Sequence, residues 1–216
     1  MLTFPPAAFR RADESDDAAF YVQPRLVTHI DTAAVDAVTA LYREVVPPGG
    51  DVLDLMSSWV SHLPADVAYG RIAGLGMNAA ELDANPRLTE RAVQSLNAAP
   101  RLPYADAAFD AVLICVSVQY LTRPVEVFRE IARVLRPASA GRPGGVVAVT
   151  FSNRCFPTKA VQAWNVLDDA GHVALVQRYL TAAGGFDAPE ARAHRPRRGD
   201  PLFAVVARRA APWPTP

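Results

Sequence analysis

Residues 109–121 read FDAVLICVSVQYL, residues 122–137 read TRPVEVFREIARVLRP, and after a short interruption residues 144–152 read GGVVAVTFS. The order is apolar strand, amphipathic helix, Gly-Gly turn, apolar strand. The near-continuous apolar run over 111–118 predicts a strand buried on both faces, as in a parallel sheet. Val125, Phe128, Ile131, Ala132 and Leu135 recur at helical spacing, while Arg129, Glu130, Arg133 and Arg136 face away. Gly144-Gly145 leads into the β-branched run 146–151. Two parallel strands joined through a helix make a right-handed crossover. Open α/β sheets bind ligands at the carboxyl ends of their strands. Function is therefore expected just after Val118, just after Phe151 and at the ends of earlier strands.

Working outward, Asp31 is a predicted N-cap for a helix through Val46, with Val35, Val38, Leu41, Tyr42 and Val45 on one face. Pro47-Pro48-Gly49-Gly50 stops it. Strands are expected over 51–56, 71–77 and, with a weaker pattern, 91–96. Asn78 caps a short helix over 79–84. Segments 158–167 and 172–183 read as helical, with Gly184-Gly185 as a C-terminal cap. Segments 189–194 and 202–208 close the chain as an antiparallel pair. The sum is a doubly wound, Rossmann-like α/β sheet of about seven strands with an antiparallel edge hairpin. Residues 1–18 read as a loose arm, and 211–216 as a tail.

The chain has 216 residues, enough for one domain with a sizeable core and short for two. Half the residues are hydrophobic and 20% charged, as in a globular protein. The 22 basic and 22 acidic residues balance to a formal net charge of zero, so no global field draws the chain to nucleic acid or to a membrane. Lys159 is the only lysine, a bias that a GC-rich genome explains without a functional role. The basic tract over 194–198 reads as a solvated loop or as an anion or RNA contact. Cys115 and Cys155 make no metal framework, and a reduced, cytoplasmic compartment is expected. No apolar leader or run of about 18 apolar residues is visible.

Four segments carry a resemblance. VLDL at 52–55, GLGMN at 74–78, LPYADAAFD at 102–110 and FREIARVLRP…GG at 128–145 resemble, in order and spacing, the class I S-adenosylmethionine-dependent methyltransferases of the type 11 group. A subgroup with LDLMSSWVSHLP, here 53–64, and FYxxPRxVTHID, here 20–31, is the nearer likeness. The resemblance implies S-adenosylmethionine as cofactor, a methyltransferase-like domain over 31–210 and an N-terminal arm and lid over 1–30. Asp54 stands at the acid of the pattern LDxGxGxG, but Met56, Ser58 and Val60 replace its three glycines. Gly76 stands where the family has the acid that grips both ribose hydroxyls, and Ser95 stands where an acid often lies near the adenine. Glu81 or Asn78 are substitutes for the lost ribose acid. On this alignment Gly76→Asp is expected to strengthen cofactor binding. The insertion over 138–143 reads as a surface loop.

The resemblance places the cofactor against Asp54, Met56, Ser57, Ser58, Gly76, Met77, Asn78, Leu96, Asn97 and Ser117, with Trp59 as a wall. Arg25 reads as a clamp on the cofactor's carboxylate or an acidic substrate, or as a surface ion pair. His29 reads as a general base or as a surface imidazole. Gln119 and Tyr120, at the end of the fourth strand, read as acceptor-positioning residues. Tyr21, Arg25 and His29 are expected to lie on a lid whose removal leaves a folded domain. Tyr42 and Tyr179 read as core, and no histidine has metal-ligand spacing. The function implied is methyl transfer to a small-molecule acceptor, with neither nucleic acid nor membrane as partner. The alternative is a non-methylating protein that keeps the fold.

Overall fold

The structure, a computed structural model, describes residues 4–211. Seven strands form one sheet: β1 (Val52–Leu55), β2 (Ile72–Gly76), β3 (Glu90–Val93), β4 (Ala111–Cys115), β5 (Val146–Phe151), β6 (Glu190–His194) and β7 (Leu202–Arg208). Their order is β3-β2-β1-β4-β5-β7-β6. The pairs among β1 to β5 are parallel, and β7 is antiparallel to both β5 and β6. The chain winds outward from β1 through β2 to β3, then returns to place β4 on the other side of β1. That reversal is the switch point at which such sheets open a crevice.

The helices are α1 (Asp17–Phe20), α2 (Thr32–Val45), α3 (Ala79–Ala84), α4 (Pro124–Val134), α5 (Gln162–Asn165) and α6 (Asp169–Ala183). One face of the sheet, with Leu53, Val112, Val147 and Val205, packs on Val127, Phe128 and Ile131 of α4 and Leu175, Val176 and Tyr179 of α6. The other face, with Val52, Leu113, Ala148 and Ala204, packs on Ala34, Val38 and Tyr42 of α2. Because both faces are covered, the central strands read as apolar runs without alternation. Side chains of Asp31, Asn78 and Asp168 cap α2, α3 and α6 by accepting from Ala34, Glu81 and Gly171 N–H.

Four expectations need revision, the first being the helix over 158–167, which is confined to Gln162–Asn165, where no side chain caps it. The fourth strand stops at Cys115, because Val116 takes a left-handed φ of 44° and Val118–Tyr120 form a 3-10 turn. The buried face of α4 includes Val127 and Val134, while Val125 is half-buried. The N-terminal arm is not loose over its described part. Phe4 and Phe9 lie 5.4 and 6.0 Å from the Tyr179 ring, and Arg11 bridges Val161. Apolar rings with a buried partner dock rather than float. The 211–216 tail falls largely outside the described residues. Among the described residues no helix is long and apolar enough to cross a membrane.

Phe128 is fully buried and 6.2 Å from Tyr179, tying α4 to α6. Phe128→Ala should lower stability by about 3–5 kcal/mol. Urea unfolding should show the midpoint falling with an unchanged slope.

Candidate functional site

A cavity of about 220 Å³ opens at the carboxyl ends of all five parallel strands. Its floor begins with Asp54, whose side chain is aimed to the α2 side of β1 and is 4% exposed. Asp54 Oδ2 accepts from Ser57 Oγ at 2.7 Å and Ser61 Oγ at 2.6 Å. Burial pushes its pKa up to about 6, against the two hydroxyls that favour the charged form. Asn85 holds this arrangement from below, donating through Nδ2 to Ser61 Oγ and to the Ser58 carbonyl.

The loop after β1 answers the missing glycines. Met56 takes φ 60°, the left-handed conformation the first glycine would supply, while Ser58 and Val60 need no positive φ. Val116, after β4, is also left-handed and also lines the cavity. A β-branched residue in that region is strained, and both strained residues stand at strand ends facing the same space.

The N-terminal segment roofs the cavity. Trp59 Nε1 donates to the Val27 carbonyl at 3.0 Å, and Asn78 Nδ2 donates to Tyr21 and Val22 carbonyls at 2.9 and 3.1 Å. Arg25 N–H donates to Glu81 Oε1 at 2.7 Å, while Ser58 Oγ donates to Glu81 Oε2 at 2.5 Å. Farther along, the fully buried Lys159 reaches Ser15 carbonyl at 2.8 Å, Asp13 at 3.2 Å and Asp17 at 3.5 Å. Asp17 also takes Arg11 at 2.6 Å and Asn97 Nδ2 at 2.8 Å. The roof is thus part of the fold, and removing residues 1–30 would take away the ion pairs of Lys159 and the ring contacts on Tyr179. Truncation of residues 1–30 is therefore expected to lower stability as well as to open the cavity.

Of the residues singled out in the sequence, Arg25, His29, Asp54, Met56, Ser57, Ser58, Gly76, Met77, Asn78, Leu96, Asn97, Ser117 and Tyr120 line this one cavity. Gln119 does not. The 3-10 turn buries it, and its amide donates to the Val116 carbonyl, so it cannot touch an acceptor. Tyr120's hydroxyl accepts from Phe156 N–H, and burial pushes its pKa up to about 12. Its visible task is to hold the segment after β5. Asn97 likewise bonds within the protein, to Asp17, to Tyr120 carbonyl and to Thr122 N–H. Arg25 has no carboxylate partner among the described residues. Its guanidinium lies 4.5 Å from the Phe20 ring and 5.6 Å from those of Tyr21 and Phe156. Nη2 donates to Phe20 carbonyl, and Nη1 is buried with no partner among the described residues.

His29 stands at the mouth, edge-on to Phe156 with ring centres 5.4 Å apart. Its outer edge is exposed, yet partial burial lowers its pKa, with Glu81 opposing and Arg25 assisting. The imidazole is therefore neutral at pH 7 and able to take a proton. Burial pushes Cys115 up to about 12 and raises Cys155, so both thiols stay protonated. Among the described residues no group of three or more His, Cys, Asp or Glu is placed to hold a metal. Asp17 and Phe156 also line the cavity. Sequence reading passed over both, Asp17 because it lay inside a charged arm. The signal for Phe156 was its place a few residues past the β5 end.

Gly76 corrects the alignment-based expectation. A Cβ there would overlap the Ser57 carbonyl oxygen, which belongs to backbone that cannot turn aside. Gly76→Asp should therefore cost about 1–3 kcal/mol of stability and should not tighten cofactor binding. Thermal melting and calorimetry on the purified variant check both halves.

Asp54 gives a second expectation. Its folded pKa lies above the unfolded value, so the folded state holds a proton that the unfolded chain releases between pH 3.8 and about 6. Its penalty is absent below that window, grows as pH rises through it and is complete above. Two pKa units correspond to about 3 kcal/mol. Asp54→Asn should be more stable than wild type at pH 8, by up to about 3 kcal/mol, and indistinguishable from it only below the window, at about pH 3. Denaturant titrations at the two pH values measure the difference.

A methyltransferase-domain family model matches residues 58–141. Over 75 residues, 35% of this chain and 26% of the relative, the sequence is 35% identical to malonyl-[acyl-carrier protein] O-methyltransferase of Marinomonas sp. (strain MWYL1). The match thus spans about a quarter of that relative's length. Among solved structures, the [4+2]-cyclase SpnF superposes with TM-score 0.59 at 19% identity, over 82% of this chain and 81% of that one. Phosphoethanolamine N-methyltransferase 2 of Haemonchus contortus, solved in complex with S-adenosyl-L-methionine, gives 0.58 at 12% identity over 81% of this chain and 52% of that one. Sheet order and fold likeness agree: the chain has the fold of these solved methyltransferase-like structures, and its residues 58–141 match a methyltransferase-domain model.

Proposed function

We propose that the protein binds S-adenosylmethionine in the cavity beneath residues 21–29 and promotes methyl transfer to a small-molecule acceptor. The observation that carries this reading is Asp54. A carboxylate buried at the switch point, with one oxygen tied to two serines, raises the free energy of the empty protein. Its other oxygen is available to a cationic group, which would repay the burial. The cofactor fits the residues present. Asp54 suits its ammonium, Arg25 with its orphaned donor suits its carboxylate, and Leu75, Met77 and Leu96 supply apolar surface for its base. When bound, the cofactor supplies an electrophilic methyl group on a sulfonium.

The chain's own residues then have three tasks. The roof of Tyr21, Arg25 and Val27 excludes water and fixes the acceptor, so proximity and orientation supply most of the rate. Neutral His29 takes the proton from an acceptor hydroxyl or amine. Phe156, edge-on to His29, limits the imidazole's swing. The zero net charge and the enclosed site favour a small molecule over nucleic acid. The likeness to a cyclase supports a second reading, in which the fold and ligand site serve another reaction.

Calorimetric titration with S-adenosylhomocysteine at pH 8 should give a micromolar dissociation constant, about −7 to −8 kcal/mol. Affinity should weaken as pH falls through about 6, where Asp54 takes up a proton, and Asp54→Asn should lose most of it. His29→Ala should leave binding intact and slow turnover by about 10²–10⁴-fold. No heat at millimolar ligand contradicts the proposal, and tight binding without methyl transfer to any acceptor favours the second reading.

A further inference from the structure

We infer that Glu81, in the first turn of α3, holds the two ribose hydroxyls of the cofactor in place of an acid at the end of β2. The inference rests on the cofactor reading above and assigns a contact that the family's usual residue cannot make here. Position 76 is closed to any side chain, because the Ser57 carbonyl fills the space a Cβ would take. A vicinal diol in this cavity therefore needs its acceptor from elsewhere.

Three carboxylates line the cavity: Asp17, Asp54 and Glu81. Asp17 is committed to Arg11, Lys159 and Asn97. Asp54 lies beneath the β1 loop and is bound to two serines. Glu81, like Asp54, has no cation within ion-pair distance among the described residues, but its two oxygens are held by one donor each and lie between the β1 loop and the roof, and it is 8% exposed. Its partners are one backbone N–H, from Arg25, and one hydroxyl, from Ser58. Each carboxylate oxygen accepts two hydrogen bonds. Each oxygen of Glu81 thus keeps one free acceptor position, the pair that a vicinal diol requires. Glu81 is also rigidly placed. Its own N–H donates to the Asn78 cap at 3.1 Å, and Asn78 is tied by its amide to the roof.

The same carboxylate touches the β1 loop through Ser58 and the roof through Arg25. Ligand hydroxyls that bond Glu81 would therefore knit the two walls of the cavity together.

The test compares S-adenosylhomocysteine with its 2′,3′-dideoxy analogue by calorimetry, in wild type, in Glu81→Gln and in Glu81→Asp, with thermal melts to establish folding. Wild type should prefer the diol by at least about tenfold, since hydrogen bonds to a charged acceptor are the strong ones. Glu81→Gln should shrink that preference to within about threefold, whatever it does to the affinity for the dideoxy ligand. Glu81→Asp, which keeps the charge but withdraws it by a methylene, should also lose the preference, and it serves if the glutamine variant fails to fold. A merely structural role would weaken both ligands alike and keep their ratio, and that result overturns the assignment. Binding of neither ligand by wild type overturns the cofactor reading and this assignment with it. Binding of both with the preference intact in the variants overturns Glu81 alone.

Discussion

A carboxylate buried at the end of β1 governs the rest of the site. Asp54 lies almost wholly out of water, and among the described residues its only close partners are two hydroxyls. Neutral donors do not offset the desolvation of a charge, which is why its pKa rises. The Met56-Ser57-Ser58 loop is the consequence. The donors to Asp54 are Ser57 and Ser61, which flank the positions where glycines are replaced. Here Met56 makes the turn in a left-handed conformation, and Ser57 supplies a donor. Asn85 then supports Ser61 from α3's end, so the floor is one connected network.

The roof depends on that floor. Trp59 and Ser58 belong to the β1 loop, and both reach toward the N-terminal segment, directly or through Glu81. The contacts use main-chain groups of Tyr21, Val22, Arg25 and Val27, so the path of the segment is fixed more by backbone than by its side chains. That leaves Arg25 Nη1 and the His29 imidazole without a hydrogen-bond partner among the described residues. The buried Lys159, the chain's single lysine, anchors the same segment behind α1. An unusual residue in an arginine-rich chain here has a structural explanation: an ammonium buried among Asp13, Ser15 and Asp17.

The fold was legible because it rests on burial. Strand runs such as 146–151 and the helix cap at Asp31 need no knowledge of distant partners. The hairpin of β6 and β7 and the helix at 79–84 were equally plain. Turn conformations were not legible: Val116 has a β-branched side chain that argues against φ 44°, and only the surrounding structure imposes it. Gln119 was misplaced for that reason, since the 3-10 turn rotates it inward. The Gly76 expectation failed because alignment reports which residue is missing but not whether space for it remains. The arm over 4–18 read as loose because its anchors, Tyr179 and Lys159, lie far along the chain.

The central claim is that the space between the Asp54 floor and the N-terminal roof is a binding site for an S-adenosyl ligand. A crystal structure of the full chain grown with S-adenosylhomocysteine tests it most directly. The account predicts the ligand enclosed between the β1 loop and residues 21–29, with its ammonium on Asp54 and the main chain of the roof still bonded to Trp59 and Asn78. A ligand lodged outside this space, or a roof that must be expelled to admit it, would contradict the account.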